Sequence, residues 1–322
     1  MRILELSGDT GSTEAIAKNL AKCLTGKGHD VHIIAPVRRR WAASVVGHVF
    51  RTKPDIIHAH LGDASILAGR IGRFFGIPVL TTLHGFQKIR HYRNVRNFTA
   101  VSHAVKKHFE KQGIPGESIC VIHNGFDPAL FFPTPRERKA ATDRIVLGTA
   151  GTLTSIKQHQ MLIDAIRILI GRRPQILLKI AGVGPLLETL TQHIKVLGLQ
   201  NHVELVGFQK DVAAFYSKLD MYVQASAREG FCLPLLEAMA CGLPVATTPS
   251  EGPEEYIDSG ENGVIAQEST PDALAAAIMP IIDDPDRAAH MGGVASRSVA
   301  SMTWKNRAAD YESLMVGLCK KA

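Results

Sequence analysis

The chain has 322 residues and a mass of 34.9 kDa, a length that suits two α/β domains, each with its own core. Hydrophobic residues make up 45% and charged residues 21%, and no run approaches the roughly 18 apolar residues of a membrane span. The N-terminus lacks the basic and apolar regions of a signal peptide, so we expect a cytoplasmic protein. The five cysteines are scattered and form no CxxC pair, which predicts reduced, structural thiols.

The positive charge is concentrated in the first half of the chain. Residues 1–142 hold 21 Lys and Arg against 10 Asp and Glu, a net charge of +11, whereas the remainder carries −4. Basic clusters occur at residues 38–41, 88–96 and 106–107. A solvated surface explains any single cluster, but their concentration predicts contact with a lipid headgroup surface, a phosphorylated acceptor or nucleic acid.

In the first half, short apolar runs rich in β-branched residues alternate with amphipathic stretches. This alternation is typical of βαβ units and a parallel sheet. The predicted strands are 2–7, 30–35, 55–59, 78–82, 97–101 and 119–123, and the predicted helices are 12–26, 41–52, 62–75 and 102–112. A polar, proline-containing segment at 132–139 predicts a linker, with the domain boundary near residue 142.

The second half begins a new βα series. Its predicted strands are 145–148, 176–180, 203–206, 221–224 and 244–247. Leu162, Ala165, Ile166 and Leu169 fall on one face of a helix that would pack on the sheet. The sequence therefore predicts two doubly wound α/β domains, with a ligand at the carboxyl ends of the strands, in the cleft between them.

The segment that carries the chemistry follows the strand at 221–224 and reads REGFCLPLLEAMACGLPVATT at residues 228–248. Pro234 suits the first turn of a helix that Gly242 ends, which places Glu229 in the preceding loop and Glu237 about one turn inside the helix. The N–H groups and dipole of this helix start would suit a phosphate, and the carboxylates would accept hydrogen bonds from hydroxyls. From spacing alone, a purely electrostatic role of both glutamates at the helix N-terminus is an equal alternative.

This Glu-x7-Glu segment resembles that of retaining glycosyltransferases of GT-B fold, glycosyltransferase family 4 (group 1), which include bacterial mannosyltransferases and lipopolysaccharide-core transferases. The resemblance extends over essentially the whole chain. It implies two Rossmann-like doubly wound domains facing across a cleft: residues 1–142 for the acceptor, joined by the terminal helix 303–322, and residues 143–302 for a nucleotide-sugar donor. It also implies that Glu229 contacts the transferred sugar and Glu237 holds the ribose. The backbone expected to face sugar and pyrophosphate is that of Gly230, Phe231, Cys232 and Leu233.

Three further segments of the second half match the family. Lys157 matches a lysine that neutralises the donor diphosphate, but Thr152 stands where the family usually has arginine. Gly182 and Val183 lie in a turn that resembles the family's Gly-x-Gly-Pro. Phe208 and Lys210 lie in a segment like the one whose backbone contacts the base.

In the first half, the resemblance assigns Gly11, in the loop 7–12, to the diphosphate or the acceptor. It assigns His84 to the histidine that faces the reacting sugar, with a purely structural role as the alternative. His58 and His60 have metal-like spacing but no evident third ligand. We interpret the DPD sequence at 284–286 as a helix stop and N-cap. The resemblance to GT-B enzymes implies that no metal is needed, and no cofactor is expected beyond the nucleotide-diphosphate sugar as co-substrate.

The resemblance implies that these residues belong to a metal-independent, retaining hexosyltransferase. The expected donor is a UDP- or GDP-sugar, and the expected acceptor is a glycan or lipid-linked molecule of lipopolysaccharide or cell-surface polysaccharide synthesis. The basic half predicts peripheral binding to the anionic inner face of the cytoplasmic membrane. The alternatives are a nucleotide-sugar epimerase, a phosphorylase, or a non-catalytic scaffold suggested by Thr152. Nucleic-acid binding is disfavoured because stacking aromatics are few.

Overall fold

The computed structural model describes residues 1–7, 11–35, 41–92, 94–134 and 144–320. Residues 8–10 of the predicted first loop, 38–40 and 93 of the basic clusters, 135–139 of the predicted linker and the predicted boundary near 142 lie outside these ranges. The chain forms two compact units. The N-terminal unit comprises Met1–Asp127 and Met302–Ala322, and the C-terminal unit comprises Pro128–Ser301.

The N-terminal unit is built on a six-stranded parallel sheet with strand order β2-β1-β3-β4-β5-β6. Its strands are β1 (Arg2–Leu6), β2 (Asp30–Ile34), β3 (Ile56–His60), β4 (Val79–Leu83), β5 (Asn97–Ala100) and β6 (Ile119–Val121). Its first four helices are α1 (Gly11–Gly26), α2 (Trp41–Thr52), α3 (Gly62–Phe75) and α4 (His103–Glu110). Every residue of β3 and β4 is buried, as expected when helices cover both faces of a parallel sheet.

The helix at the end of the chain, Trp304–Cys319, belongs to the N-terminal unit. Thr303 caps its start by accepting a hydrogen bond from the Asn306 N–H. Its Tyr311 and Met315 join a core cluster that also contains Leu20 of α1. The first and last parts of the chain therefore share one hydrophobic core.

The C-terminal unit contains a second six-stranded parallel sheet, with strand order β12-β11-β10-β7-β8-β9. Its strands are β7 (Ile145–Ala150), β8 (Ile176–Ala181), β9 (Val203–Gly207), β10 (Met221–Gln224), β11 (Val245–Thr247) and β12 (Val264–Ile265). Its helices are α5 (His159–Ile170), α6 (Leu187–Val196), α7 (Val212–Tyr216), α8 (Leu233–Ala240), α9 (Pro271–Ile282) and α10 (Pro285–Ser298), so the terminal helix is α11.

The two doubly wound α/β sheets confirm the predicted fold class, and most predicted elements agree with the structure to within one or two residues. The sequence missed β12, which is only two residues long and therefore shows no periodicity. Asp284 is the N-cap of α10, as predicted, since its carboxylate accepts hydrogen bonds from the N–H groups of Asp286 and Arg287. Among the described residues, no helix combines the length and apolar character that crossing a membrane requires.

The order of the strands shows where each sheet has its topological switch point, the place where the chain stops adding strands on one side and starts on the other. In the C-terminal unit the chain builds β8 and β9 on one side of β7 and then places β10 on its other side, so the reversal falls between β7 and β10. In the N-terminal unit it falls between β1 and β3. Open α/β sheets bind ligands beyond the carboxyl ends of the strands at such a point.

Candidate functional site

The loops that follow β7 and β10 bring two predicted site residues into contact. Lys157 ends a short 3-10 turn after β7, and Glu229 lies in the loop after β10. The Lys157 Nζ lies 2.5 Å from Glu229 Oε1, and both side chains are mostly buried, with exposed fractions of 19% and 11%. A charge-assisted hydrogen bond this well shielded is stronger than a solvent-exposed ion pair.

Backbone hydrogen bonds hold the Glu229 loop in place. The Glu229 N–H donates to the Ser250 carbonyl (2.9 Å), and the Gly252 N–H donates to the Glu229 carbonyl (3.1 Å). A Cβ on Gly252 would lie 2.7 Å from the carbonyl carbon of Gly230 and from the nitrogen of Phe231, so only glycine allows this approach. The loop that carries the carboxylate is thus fixed by its neighbour after β11.

The end of β10 orients the Glu229 carboxylate. Ser226 Oγ donates to Glu229 Oε1 (2.7 Å), and Gln224 Nε2 lies 3.4 Å from the same oxygen. The Tyr222 hydroxyl in turn donates to Gln224 Oε1 (2.8 Å). We did not identify Gln224 and Ser226 from sequence, although two buried polar residues at the carboxyl end of an apolar strand are a usable signal.

Electrostatics keep Lys157 charged. Burial lowers the pKa of Lys157, but the charge and hydrogen bond of the Glu229 carboxylate outweigh this, so that the net pKa lies above the ordinary value. Burial and the Lys157 charge together lower the pKa of the neighbouring His159 to about 4. The site therefore holds one permanent cation beside a neutral imidazole.

Helix α8 starts beside this ion pair. Cys232 precedes it in a left-handed conformation (φ 70°), and Pro234 lies in its first turn, where a missing N–H costs nothing. The Tyr256 hydroxyl contacts the carbonyl oxygens of Phe231 (2.8 Å) and Cys232 (3.1 Å). Burial, followed by Glu229, raises the pKa of the Cys232 thiol well above its usual range, so this thiol stays protonated.

Glu237 lies one turn inside α8 and faces Tyr216 at the end of α7. The Tyr216 hydroxyl donates to Glu237 Oε2 (3.1 Å). Burial raises the pKa of Glu237 to about 7, and the Tyr216 hydrogen bond only partly opposes this. Glu237 therefore changes its charge near neutral pH, and Tyr216 is a further residue that sequence reasoning missed.

Hydrogen bonds between loop backbones bring the remaining predicted donor residues to the same sheet edge. The Gly151 N–H donates to the Ala181 carbonyl (2.9 Å), and the Gly182 N–H donates to the Gly207 carbonyl (2.8 Å). A Cβ on Gly182 (φ 143°) would overlap the carbonyl oxygen of Gly151, so the loops after β7 and β8 can approach only through glycine. On the loops after β7, β8 and β9, the exposed predicted residues are Thr152, Val183, Phe208 and Lys210. Gly230 and Leu233, also predicted, are half-buried next to Phe231 and Cys232.

The other two predicted site residues belong to the N-terminal unit. Gly11 is exposed and is the first residue of α1. His84 follows β4, and its Nε2 lies 2.9 Å from His60 Nδ1. The prediction that His58 and His60 lack a third potential ligand was wrong, because Glu5 on the adjacent strand β1 contacts both rings. A pairing between strands 53 residues apart in sequence cannot be read from spacing within one strand.

Comparison with known proteins identifies the family. The family model "Glycosyl transferases group 1" matches residues 133–297, and "Glycosyltransferase Family 4" matches residues 36–130. The chain belongs to the group 1 glycosyl transferases. The region of this chain that matches the group 1 model contains Lys157, Glu229 and Glu237, the residues around which the C-terminal site is built.

Named relatives differ in donor and acceptor. The GDP-mannose-dependent alpha-(1-6)-phosphatidylinositol monomannoside mannosyltransferase of Mycolicibacterium smegmatis is 32% identical over 236 residues, which cover 68% of this chain and 62% of that protein. The D-inositol 3-phosphate glycosyltransferase of Thermobispora bispora is 26% identical, over 79% of this chain and 68% of its own. The chain therefore matches less than two thirds of the mannosyltransferase's length.

Among solved structures, Anabaena HepE in complex with UDP and glucose superposes with a TM-score of 0.84 at 24% identity, covering 99% of this chain and 100% of that chain. This likeness confirms the GT-B fold, with its two Rossmann-like domains, that the sequence predicted.

Proposed function

We propose that the protein is a retaining glycosyltransferase that moves a hexose from a UDP- or GDP-sugar to a glycan or lipid-linked acceptor in lipopolysaccharide or other cell-surface polysaccharide synthesis. The observation that carries this proposal is the Lys157–Glu229 pair at the switch point between β7 and β10. A fixed cation and a fixed hydroxyl acceptor at this point of an α/β sheet fit a sugar attached to a diphosphate.

In this proposal Lys157 and the start of α8 act on the diphosphate. Charge develops on the leaving phosphate as the glycosidic bond breaks, and a preorganised cation and helix N-terminus stabilise that charge. The positive charge that a divalent metal supplies in other transferases is here assigned to these groups. Thr152 leaves the loop with one charge fewer than is usual for the family.

Glu229 and Glu237 are assigned to hydroxyl groups. Ser226 and Gln224 fix the Glu229 carboxylate, so it can accept hydrogen bonds from the transferred sugar without reorganising. Glu237, at the side of α8, is assigned to the ribose. The acceptor hydroxyl attacks the anomeric carbon on the face that the nucleotide leaves, and the departing phosphate takes its proton, which gives retention.

The acceptor is assigned to the N-terminal unit on grounds of charge. The names of two relatives specify acceptors that contain an inositol phosphate, which are anionic. The +11 charge of residues 1–142 complements such an acceptor, or the anionic inner surface of a membrane that carries it. On this proposal, binding to anionic vesicles weakens with added salt, whereas salt-independent binding would contradict the membrane assignment.

The donor is identified first by a thermal-shift screen of UDP, GDP and ADP sugars. A ligand at one hundred times its Kd stabilises the folded state by about 2.7 kcal/mol, which shifts the melting temperature measurably. Turnover is then followed as nucleotide release with and without candidate acceptors. Release that depends on acceptor supports transfer, release of free nucleotide without one indicates hydrolysis, and sugar inversion without release indicates an epimerase.

The site assignment is tested with Lys157→Ala and Glu229→Ala. Removal of one preorganised charged contact lowers kcat by about 10²- to 10³-fold. Lys195→Ala, an exposed lysine on α6, is the matched control and keeps wild-type turnover. If either site variant stays within a few-fold of the wild type, the assignment of that residue is wrong.

A further inference from the structure

A buried chain of polar side chains leads from the middle of the N-terminal sheet to His84. Glu5 on β1 and His58 and His60 on β3 are all fully buried, although they lie within otherwise apolar strands. They lie beside the switch point of this sheet, and His84 follows β4 at its carboxyl edge. Burial of three ionisable groups is costly unless each is hydrogen-bonded.

Each ring nitrogen of His58 and His60 has a hydrogen-bond partner. His58 Nδ1 lies 2.9 Å from Glu5 Oε2, and its Nε2 lies 2.7 Å from Thr82 Oγ1. His60 Nε2 lies 3.1 Å from Glu5 Oε2, and its Nδ1 lies 2.9 Å from His84 Nε2. Among the residues that the structure describes, His84 Nδ1 alone in this chain of rings is buried without a partner.

The charge of Glu5 sets the direction of these hydrogen bonds. Burial raises the pKa of Glu5, but His58 and His60 more than offset this and lower it to about 2, so the carboxylate accepts only. Burial lowers the pKa values of His60 and His84, which are therefore neutral and carry one ring proton each. The His60 proton lies on Nε2, facing Glu5, which leaves Nδ1 to accept from His84 Nε2–H.

We propose that Glu5 and His60 are positioning residues that hold His84 in its Nε2–H tautomer, so that Nδ1 offers a lone pair to a hydroxyl of the bound sugar or its acceptor. The role of Nδ1 rests on the proposed function, whereas the tautomer is a property of the protein alone. A hydrogen-bonded carboxylate is a general means of fixing which nitrogen of an imidazole carries the proton. Here the effect of Glu5 on His84 passes through the imidazole ring of His60.

The first test is the ring-nitrogen NMR spectrum of His84 in the ligand-free protein, assigned by comparison with His84→Gln. The wild type is expected to show a protonated Nε2 and an unprotonated Nδ1. Glu5→Leu removes the acceptor for His60 Nε2–H and is expected to mix the two tautomers of His84. Thr82→Val is the matched control, because Thr82 Oγ1 contacts His58, Thr99 and Tyr311 but neither His60 nor His84, and it is expected to leave the His84 tautomer unchanged.

A second pair of variants covers the case in which Glu5→Leu does not fold. In His60→Asn the amide oxygen can replace Nδ1 as the acceptor for His84, whereas in His60→Gln the amide lies toward Glu5 and this acceptor is lost. We expect Asn to retain the His84 tautomer and Gln to lose it. In turnover assays, kcat of His60→Gln falls about tenfold, more than the donor KM rises, and His60→Asn loses less.

A proton on His84 Nδ1 in the wild type, or an unchanged tautomer in both Glu5→Leu and His60→Gln, overturns the inference even if the protein transfers sugar. Zinc bound in equal amount to the purified protein and lost in His60→Gln also overturns it, because the same three side chains would then ligate a metal. The expected tautomers in a protein without turnover would instead support the network and count against the proposed function.

Discussion

If Glu237 holds the ribose as proposed, its pKa near 7 predicts that donor binding depends on pH. If the ribose hydroxyls require the ionised carboxylate, the binding-competent fraction falls from about nine-tenths at pH 8 to about one-tenth at pH 6, and donor affinity falls about tenfold. Glu237→Gln cannot ionise, so its affinity should be lower at pH 8 and independent of pH. The diphosphate of a nucleotide sugar is doubly esterified and does not titrate in this range, so the intact donor is the correct ligand.

Titration calorimetry between pH 5.5 and 8.5 measures this directly. A flat wild-type profile, or the same slope in Glu237→Gln, would refute the assignment of Glu237 to the ribose.

The pH dependence of folding stability is an independent measurement that needs no ligand. Because the pKa of Glu237 is raised from 4.5 to about 7, the unfolded chain releases the proton first, and folding stability is lost as pH rises through this window. The full difference is worth about 3 kcal/mol, so Glu237→Gln should be more stable than the wild type at pH 8 and nearly equal at pH 4.5.

Two further predictions concern the loops around the ion pair. Thr152 is exposed, so Thr152→Arg should fold normally. It should raise kcat/KM several-fold, because it places a second positive charge near the donor diphosphate. Ser155→Arg changes an exposed residue of the same loop and is the control; an equal gain there would show that added positive charge in general is responsible. Gly252→Ala should destabilise the protein by about 2 kcal/mol or more in denaturant titrations and reduce turnover, because its Cβ meets backbone next to Glu229. Gly47→Ala, inside α2 with open space around the added carbon, should instead stabilise by about 0.5–1 kcal/mol, and similar losses in both variants would contradict the packing argument.

The fold was predictable because parallel sheets leave a strong local signal. Strands buried on both faces are nearly continuous apolar runs, and the helices between them keep one apolar stripe, as at Leu162 and Ile166, which are both fully buried. Strand order was not predicted, since it depends on which apolar runs pair across the sheet. Strand β12 was not predicted, because a strand of two residues shows no hydrophobic periodicity.

The site was only partly predictable, because its geometry depends on contacts between distant segments. Glu229 and Lys157 were both candidates, but their hydrogen bond joins residues 72 positions apart and needed the order of β7 and β10. Tyr216 was missed because nothing in α7 marks it as a partner of Glu237. The raised pKa of Glu237 likewise comes from tertiary burial, which spacing along α8 does not reveal.

Buried polar residues within apolar strands are the feature that the two units share. In the C-terminal unit, Gln224 ends β10 and leads to Glu229; in the N-terminal unit, Glu5 and His60 lead to His84. Each set lies at the switch point of its sheet. Gln224, Glu5 and His60 are buried, and an unpaired polar group at these positions would destabilise the core. Such residues add nothing to the hydrophobic core that an apolar side chain would not provide better. Their position is explained if the strands orient a functional side chain at the carboxyl edge, and on that argument Glu5 deserves the same mutational test as Glu229.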